Sequence, residues 1–278
     1  MNVLKMKKYF QDKTIVITGG GSGMGRALAI EMACSHASIH ILDIDGDRAG
    51  ETVDLIVKKG GKAIFYPVDV TDYYQLSVMI ESIYSMEGKI DILINNAGMS
   101  MTGEVRDLEL GHWQRTIGLN LMGTVHGIHT VYPMMVRQGF GQIVVISSMA
   151  GLAPIPLIAP YATSKYALVG LSRSLRLEGK DLGVKVNLVC PGRLDTSLLD
   201  ASEILNVDRE KFLSKVPFSA VPLSKAVGII VNGMINNRAM ILFPAYVRWM
   251  WFADRYFPFL LKPFFRYSLR QFRSLRLD

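Results

Sequence analysis

Seven short, almost unbroken apolar runs punctuate this chain: "TIVIT" (14–18), "SIHIL" (38–42), "AIFYPV" (63–68), "DILIN" (91–95), "QIVVIS" (142–147), "VKVNLV" (184–189) and "AMILF" (239–243). A strand with one wet face alternates apolar and polar residues, whereas a strand covered by helices on both faces is apolar throughout. Helix-patterned stretches separate the runs, near 24–34, 47–59, 72–87, 109–137, 161–182 and 222–236. The alternation predicts an α/β fold: a doubly wound parallel sheet of about seven strands, with helices on both faces and right-handed crossovers. No repeat and no Pro/Gly/Ser linker interrupts residues 13–243. The reading is one domain over 1–243, followed by an aromatic and basic helical extension, 244–278. Ligands of such sheets bind at the carboxyl ends of the strands, so the residues just after each run are the ones to inspect.

Composition narrows the class. The chain has 278 residues, half of them hydrophobic and 20% charged, which suits a sizeable core. No stretch of eighteen apolar residues lacks a charge, so no spanning helix is expected. The start, "MNVLKMKKYFQDK", has no apolar h-region and does not read as a secretory signal. Two cysteines, Cys34 and Cys190, argue against a disulfide framework and for a reducing, cytoplasmic setting. The net charge of +7 is uneven. Residues 238–278 hold eight Lys/Arg against two Asp, a surplus of six, so the basic character belongs to the tail. A nucleic-acid-binding domain is therefore not expected.

After the first run comes "TGGGSGMGRA". Glycines let the backbone turn tightly against a pyrophosphate, whose charge then faces the amides of a helix N-terminus. The turn makes Thr18, Gly19, Ser22, Gly23, Met24 and Gly25 cofactor candidates. Asp43 closes the second run, eighteen residues beyond Gly25. A carboxylate there accepts hydrogen bonds from ribose hydroxyls and repels a 2′-phosphate, so NAD is expected in preference to NADP. Arg48, early in the next helix, is the residue that could complicate this preference.

Tyr161 and Lys165, in "YATSK", lie four apart at the head of a helical pattern and share a face. An ammonium beside a phenol favours phenolate, so the tyrosine pKa is expected to fall toward working pH, as proton transfer to an alcohol or carbonyl oxygen requires. Ser148 follows the strand 142–147, thirteen residues before Tyr161, where its hydroxyl can hold a reacting oxygen. Strand alternation points Ser147 to the other face.

These segments, with "NNAG" (95–98), "LNLMG" around Asn120 and "PGRLDT" (191–196), occur in order over about residues 12–243. The chain resembles the classical short-chain dehydrogenases/reductases. The resemblance implies a Rossmann-like fold and an oxidoreductase interconverting an alcohol and a ketone. It implies Tyr161 as general acid/base, Ser148 as the group that polarises the substrate oxygen, and Lys165 as a ribose ligand that lowers the tyrosine pKa. Asn120 would hold a water relaying protons to the lysine. Asp69 and Val70 would meet the adenine, and Asn95, Ala97 and Gly98 the ribose. Pro191, Gly192 and Thr196 would seat the carboxamide. All four catalytic positions carry the family's residue types, which disfavours the competing reading, a catalytically silent NAD sensor or membrane-recruited scaffold. The histidines show no ligand spacing, so no metal is expected.

The link from Ser148 to Tyr161, "MAGLAPIPLIAP", is almost wholly apolar. Leu152, Ile155, Leu157 and Ile158, with Met99 and Met149, are expected to wall a pocket for a hydrophobic alcohol or ketone of lipid, steroid or long-chain type, with no Arg clamp nearby. The tail departs from the family. From Phe243 on it holds twelve of the 26 aromatic residues, and Lys262, Arg266, Arg270, Arg273 and Arg276 step along one helical stripe. Two uses are expected for such a segment: peripheral contact with a membrane, or packing on the protein or a partner subunit. A homodimer through the 109–137 and 161–182 helices is expected rather than the family's tetramer.

Overall fold

The structure, a computed structural model, describes residues 3–33, 36–196, 202–216 and 218–277. Seven strands form one parallel sheet: β1 (Thr14–Thr18), β2 (Ser38–Asp43), β3 (Lys62–Pro67), β4 (Ile92–Asn95), β6 (Gly141–Ile146), β7 (Val184–Pro191) and β9 (Met240–Phe243). Each coincides with one of the seven apolar runs. Across the sheet they lie in the order β3-β2-β1-β4-β6-β7-β9. The register pairs Ile15 with Ile39 and with Ile92, placing the carboxyl ends of β1, β2 and β4 side by side. Two short strands that the apolar pattern does not show, β5 (Met101–Thr102) and β8 (Glu203–Ile204), pair separately. β3 departs from the expected double burial: Lys62, Ile64 and Phe65 are exposed at one edge of the sheet, whereas β9 at the other edge is buried from Ile241 to Phe243.

Helices cover both faces. On one, α1 (Val3–Phe10), α2 (Gly23–Ala33), α3 (Gly46–Lys58) and α9 (Leu223–Ile235) bury Phe10, Leu28, Met32, Ile56 and Ile230 against Ile15, Ile17, Ile41 and Ile94. On the other, α4 (Tyr73–Glu87), α6 (Gly123–Gln138) and α7 (Ala159–Gly179) bury Leu76, Ile80, Val131 and Leu168 against Val16, Leu93, Ile143 and Val145. Odd and even residues of one strand thus serve opposite layers, which is why the runs are apolar throughout. The expected helix 109–137 is in fact α5 (Leu110–Ile117), a π-helical turn (Gly118–Met122) and α6. The remaining α-helices among the described residues are α8 (Arg209–Ser214), α10 (Ala245–Tyr256) and α11 (Lys262–Arg273). Val247 and Met250 of α10 and Phe272 of α11 are buried, so the extension packs on the rest of the chain. Cys190 is buried as a free thiol, and Cys34 lies outside the described residues.

Chain direction reverses its spread at β1/β4: later strands lie on one side of β1, and β2 and β3 on the other. The crevice above that point is where a ligand fits. Its floor depends on α2 lying close to the turn before it. A Cβ on Gly25 would overlap the Gly19 carbonyl oxygen and reach 2.6 Å from Asn96 Nδ2. Gly25→Ala is expected to cost about 1–3 kcal/mol through this overpacking, read as a lower urea midpoint with an unchanged m-value.

Candidate active site

One cavity of about 960 Å³ opens over the carboxyl ends of the strands. At one end stands the glycine turn. Gly19 and Gly23 have φ of +66° and +50°, the left-handed region that side chains rarely tolerate. They bring the backbone to the head of α2, whose first turn contains no acid to compete with an anion. Arg26 fastens the turn: its Nε donates to the Gly21 carbonyl at 2.8 Å, and its guanidinium pairs with Glu51. Asp43, at the end of β2, accepts from Gly21 N at 2.7 Å and from Asp45 N at 3.0 Å, holding the turn against the entry of α3. Arg48 bonds Asp45 at the exposed rim. Asp69 accepts from Thr71 N and Oγ1, both at 2.8 Å, shaping the loop that carries Val70.

At the other end Ser148, Tyr161 and Lys165 converge. Ser148 caps the short turn after β6 by accepting from Ala150 N at 3.1 Å, and its hydroxyl stands close enough to the Tyr161 phenol to favour the phenolate. Lys165 Nζ lies 5.5 Å from the centroid of the Tyr161 ring and donates to the Ile146 carbonyl at 3.0 Å. Ser147, as alternation predicts, faces away and donates to the Lys165 carbonyl at 2.9 Å, fixing α7 beneath the site.

Electrostatics differ from expectation. Burial pushes the Tyr161 hydroxyl above its ordinary pKa of 10.0, and the Ser148 hydrogen bond opposes this shift. The same burial pulls Lys165 from 10.5 to about 8. The direction is the reverse of the expected fall, because desolvation is the largest influence on the phenol and only the Ser148 hydroxyl opposes it.

Most of the sequence-predicted residues line this cavity: Gly19, Ser22, Gly23, Met24, Asp43, Asp69, Val70, Ala97, Gly98, Ser148, Tyr161, Lys165, Pro191, Gly192 and Thr196. Four do not, and they support it from behind. Thr18 Oγ1 accepts from Asn96 N at 3.0 Å and Ala97 N at 3.1 Å, tying β1 to β4. Gly25 packs α2 on the turn. Asn95 shares a strand face with Leu93, so its amide points at Gly127 of α6, where neither of its polar atoms has a protein partner. The neighbouring Asn96, which the motif reading passed over, faces the cavity instead and donates to the Thr18 and Gly19 carbonyls at 3.1 and 2.8 Å. Strand alternation alone would have separated the two.

Asn120, the fourth, is fully buried in the π-helical turn. Its amide accepts from Met99 N at 2.8 Å and donates to Met99 O at 3.0 Å and Ser164 Oγ at 3.1 Å. It braces the segment after β4 against α7.

The apolar wall is partly as expected. Met99, Met149, Ile155, Leu157 and Ile158 line the cavity, but Leu152 is buried beneath it among Val169, Leu188 and Val247. Cations do reach the rim: Arg115 pairs with Glu203 at 2.9 Å, Arg193 donates to the Val216 and Phe218 carbonyls, and Lys215 is exposed.

The larger surprise is the tail. Met250, Phe264, Phe265, Ser268, Gln271, Phe272 and Leu275 form part of the same cavity. Phe272 meets Phe212 edge to face, and Phe218 stacks on Tyr246 at 4.2 Å. Glu104 binds Arg106 at 2.7 Å, Arg273 at 2.6 Å and Arg276 at 3.3 Å, while Asp107 binds Arg276 at 2.7 Å. Two cations of the expected stripe are thus committed to the protein. The guanidiniums hold both carboxyls below the usual carboxylate range.

A buried lysine with a lowered pKa leaves a signature. Between about 8 and 10.5 the unfolded chain binds more protons at Lys165 than the folded chain, so this residue makes stability rise with pH across that window. Lys165→Met is expected to be more stable than the unsubstituted protein by about 1–3 kcal/mol at pH 7. The advantage should narrow as pH climbs toward 10.5, as followed by urea midpoints of the cofactor-free protein.

Comparison with known proteins follows the same lines. Residues 13–204 match the family model described as short chain dehydrogenase. The chain is 36% identical over 216 residues to an uncharacterized oxidoreductase of Thermotoga maritima, covering 78% of this chain and 85% of that one. It is 34% identical to cyclohexanol dehydrogenase of an Acinetobacter species, over 70% of this chain and 78% of the relative. It is also 36% identical to the probable oxidoreductase EphD of Mycobacterium tuberculosis, over 69% of this chain but only 32% of that longer protein. A short-chain dehydrogenase/reductase of Burkholderia phymatum, solved in complex with NAD, superposes with a TM-score of 0.83 at 26% identity, over 90% of this chain and 95% of the other. With the parallel sheet, the glycine turn and the Ser148–Tyr161–Lys165 cluster in place, the chain belongs to the short-chain dehydrogenase/reductase family of oxidoreductases.

Proposed function

We propose that this protein is an NAD-dependent oxidoreductase that interconverts a hydrophobic secondary alcohol and its ketone, with Tyr161 as general acid/base. The observation that carries the reading is a single cavity in which the Ser148 and Tyr161 hydroxyls meet apolar walls at one end and the glycine turn lies at the other. The turn fits a dinucleotide: positive-φ glycines open the backbone at the head of α2, and the Asp43 carboxylate stands at the end of β2. Gly19, Ser22, Gly23 and Met24 would hold the pyrophosphate and Asp43 the adenosine ribose. Asp69 and Val70 would meet the adenine, Ala97, Gly98 and Lys165 the second ribose, and Pro191, Gly192 and Thr196 the carboxamide. When bound, the nicotinamide supplies or accepts a hydride at C4.

The protein's own groups handle the proton. In carbonyl reduction, Tyr161 Oη gives its proton to the substrate oxygen while Ser148 Oγ donates a hydrogen bond to that oxygen. In alcohol oxidation the phenolate takes the proton back. A buried phenol with a raised pKa is protonated at neutral pH and ready for the reductive direction. Lys165, anchored on the Ile146 carbonyl, places positive charge near the ring as the phenolate forms. Asn120 positions this group through Met99 and Ser164, whose hydroxyl donates to the Tyr161 carbonyl at 2.7 Å.

The substrate class follows from the walls. Met99, Met149, Ile155, Leu157, Phe264, Phe265 and Phe272 offer aliphatic and aromatic surface, and the rim arginines are occupied by protein acceptors. Apolar walls select lipid, steroid or long-chain substrates. The likeness to cyclohexanol dehydrogenase supports a cyclic or aliphatic alcohol. The extension 244–278 serves in this reading as a wall of the substrate pocket, and the α6 and α7 helices as the face of a homodimer.

Tyr161→Phe is expected to lower kcat by about a thousandfold or more while NAD binding, measured by fluorescence titration, is retained. Near-normal turnover of aliphatic and steroidal alcohols by that variant, followed at the absorbance of reduced cofactor, would refute the mechanism. Asp43→Asn keeps an acceptor for Gly21 N but removes the charge. It should shift the NADP-to-NAD ratio of kcat/KM by roughly tenfold toward NADP, equivalent to about 1.4 kcal/mol.

A further inference from the structure

The pocket wall uses only one side of the C-terminal extension, and the other side is uncovered. Trp249, Phe252, Tyr256, Phe257, Phe259 and Leu260 are all exposed, Trp249 at 71% and Phe259 at 61%. Three of their ring contacts are with one another: Phe252 with Tyr256 at 4.8 Å and with Phe257 at 6.1 Å, and Phe257 with Phe259 at 6.3 Å. At 3.6 residues per turn, Trp249, Phe252 and Tyr256 share an arc of α10 of about 120° with Arg248 and Arg255. Val247 and Met250, on the opposite side, are buried. Beyond the turn at Pro258–Leu260, Lys262, Arg266 and Arg270 recur every four residues on the exposed side of α11. The rings and the cations are therefore sorted together, away from the cavity.

We infer that this aromatic face docks on an anionic lipid bilayer, lying in its interface. Three features favour that occupant. Trp, Tyr and Phe beside Lys and Arg is the composition that partitions at a headgroup boundary, rings toward the acyl chains and cations toward the phosphates. The charge is uncompensated: residues 245–271 hold five Lys/Arg and one acid, Asp254, which is partly buried. Among the described residues none of these five cations forms an ion pair, whereas Arg273 and Arg276 of the same tail are bound to Glu104 and Asp107. A second copy meeting this face about a two-fold axis would set cations against cations. Insertion would be shallow, because no helix among the described residues is long and apolar enough to cross a membrane. Met250, Phe264 and Phe265 line the cavity from these two helices, so docking would bring the apolar pocket close to the lipid.

Flotation of the full chain tests this without any turnover, so its outcome and that of the redox reading are separable. Vesicles of phosphatidylcholine with phosphatidylglycerol are compared with phosphatidylcholine alone. The protein should float with the anionic vesicles, and less so as salt rises. Two variants lie outside the cavity: Trp249→Ser/Phe252→Ser/Phe259→Ser and Arg248→Gln/Lys262→Gln/Arg266→Gln. Each should lose about tenfold or more in partitioning while keeping the parental unfolding midpoint. If one variant fails to fold, the other decides. The inference is overturned if the unsubstituted protein does not float with anionic vesicles at low salt, or if a folded variant floats as it does. It is equally overturned if the aromatic variant dissociates an oligomer in sedimentation velocity with vesicle binding unchanged, since the face would then belong to a second copy.

Discussion

The rest of the structure depends on the seam between the carboxyl ends of β1 and β4. Parallel neighbours there diverge, and backbone groups at the seam have no ladder to enter. Thr18 and Asn96 close it with four hydrogen bonds, the hydroxyl accepting two amides and the amide donating to two carbonyls. Every other part of the site is referred to that seam. The glycine turn leaves from one side of it and the Ala97–Met99 segment from the other, where Asn120 catches Met99 and passes the constraint to α7 through Ser164. Tyr161 and Lys165 are carried on α7, so the position of this hydroxyl and ammonium is set by a chain of buried polar contacts that begins at Thr18. Such networks are stiff because each member left unpaired in the interior would cost free energy.

Much of this could be read from the chain, for physical reasons that also mark where reading stops. The seven strands are legible because burial on both faces removes any alternation, and the one that misleads, β3, lies at an edge that is left partly uncovered. Ser147 and Ser148 are separable because neighbours on a strand point oppositely. The same rule divides Asn95 from Asn96, but a motif treated as a block hides it. The break at Gly118–Met122 leaves no trace in periodicity, since a single π-helical turn shifts the apolar phase by one residue only. The tail is the clearest limit. A stripe of arginines reads as a solvated or lipid-facing surface until their partners are known, and Glu104 lies 169 residues before Arg273. Sequence spacing carries no information about that pairing. Nor does it reveal how deeply the fold buries Tyr161 and Lys165, the desolvation that raises one pKa and lowers the other.

The site divides into a general half and a particular half. Seam, turn and Ser–Tyr–Lys cluster are made by residues 14–196, while the far wall comes from 212–275. The glycine turn and the hydroxyl cluster thus stand on the sheet, whereas the far apolar wall stands on helices attached to it.

The clamp at Glu104 bears on how that far wall is held. One carboxylate gathers three guanidiniums and a second fixes Arg276 again, and both acids stay ionised at acidities that neutralise ordinary surface carboxylates. Their contribution is present above the usual carboxylate range and fades only as pH falls through the lowered values. Three ion pairs, Arg273–Glu104, Arg276–Glu104 and Arg276–Asp107, thereby tie the tail to the segment after β5. The wall bearing Phe264 and Phe272 therefore has its carboxyl end anchored by acids from a distant stretch of chain.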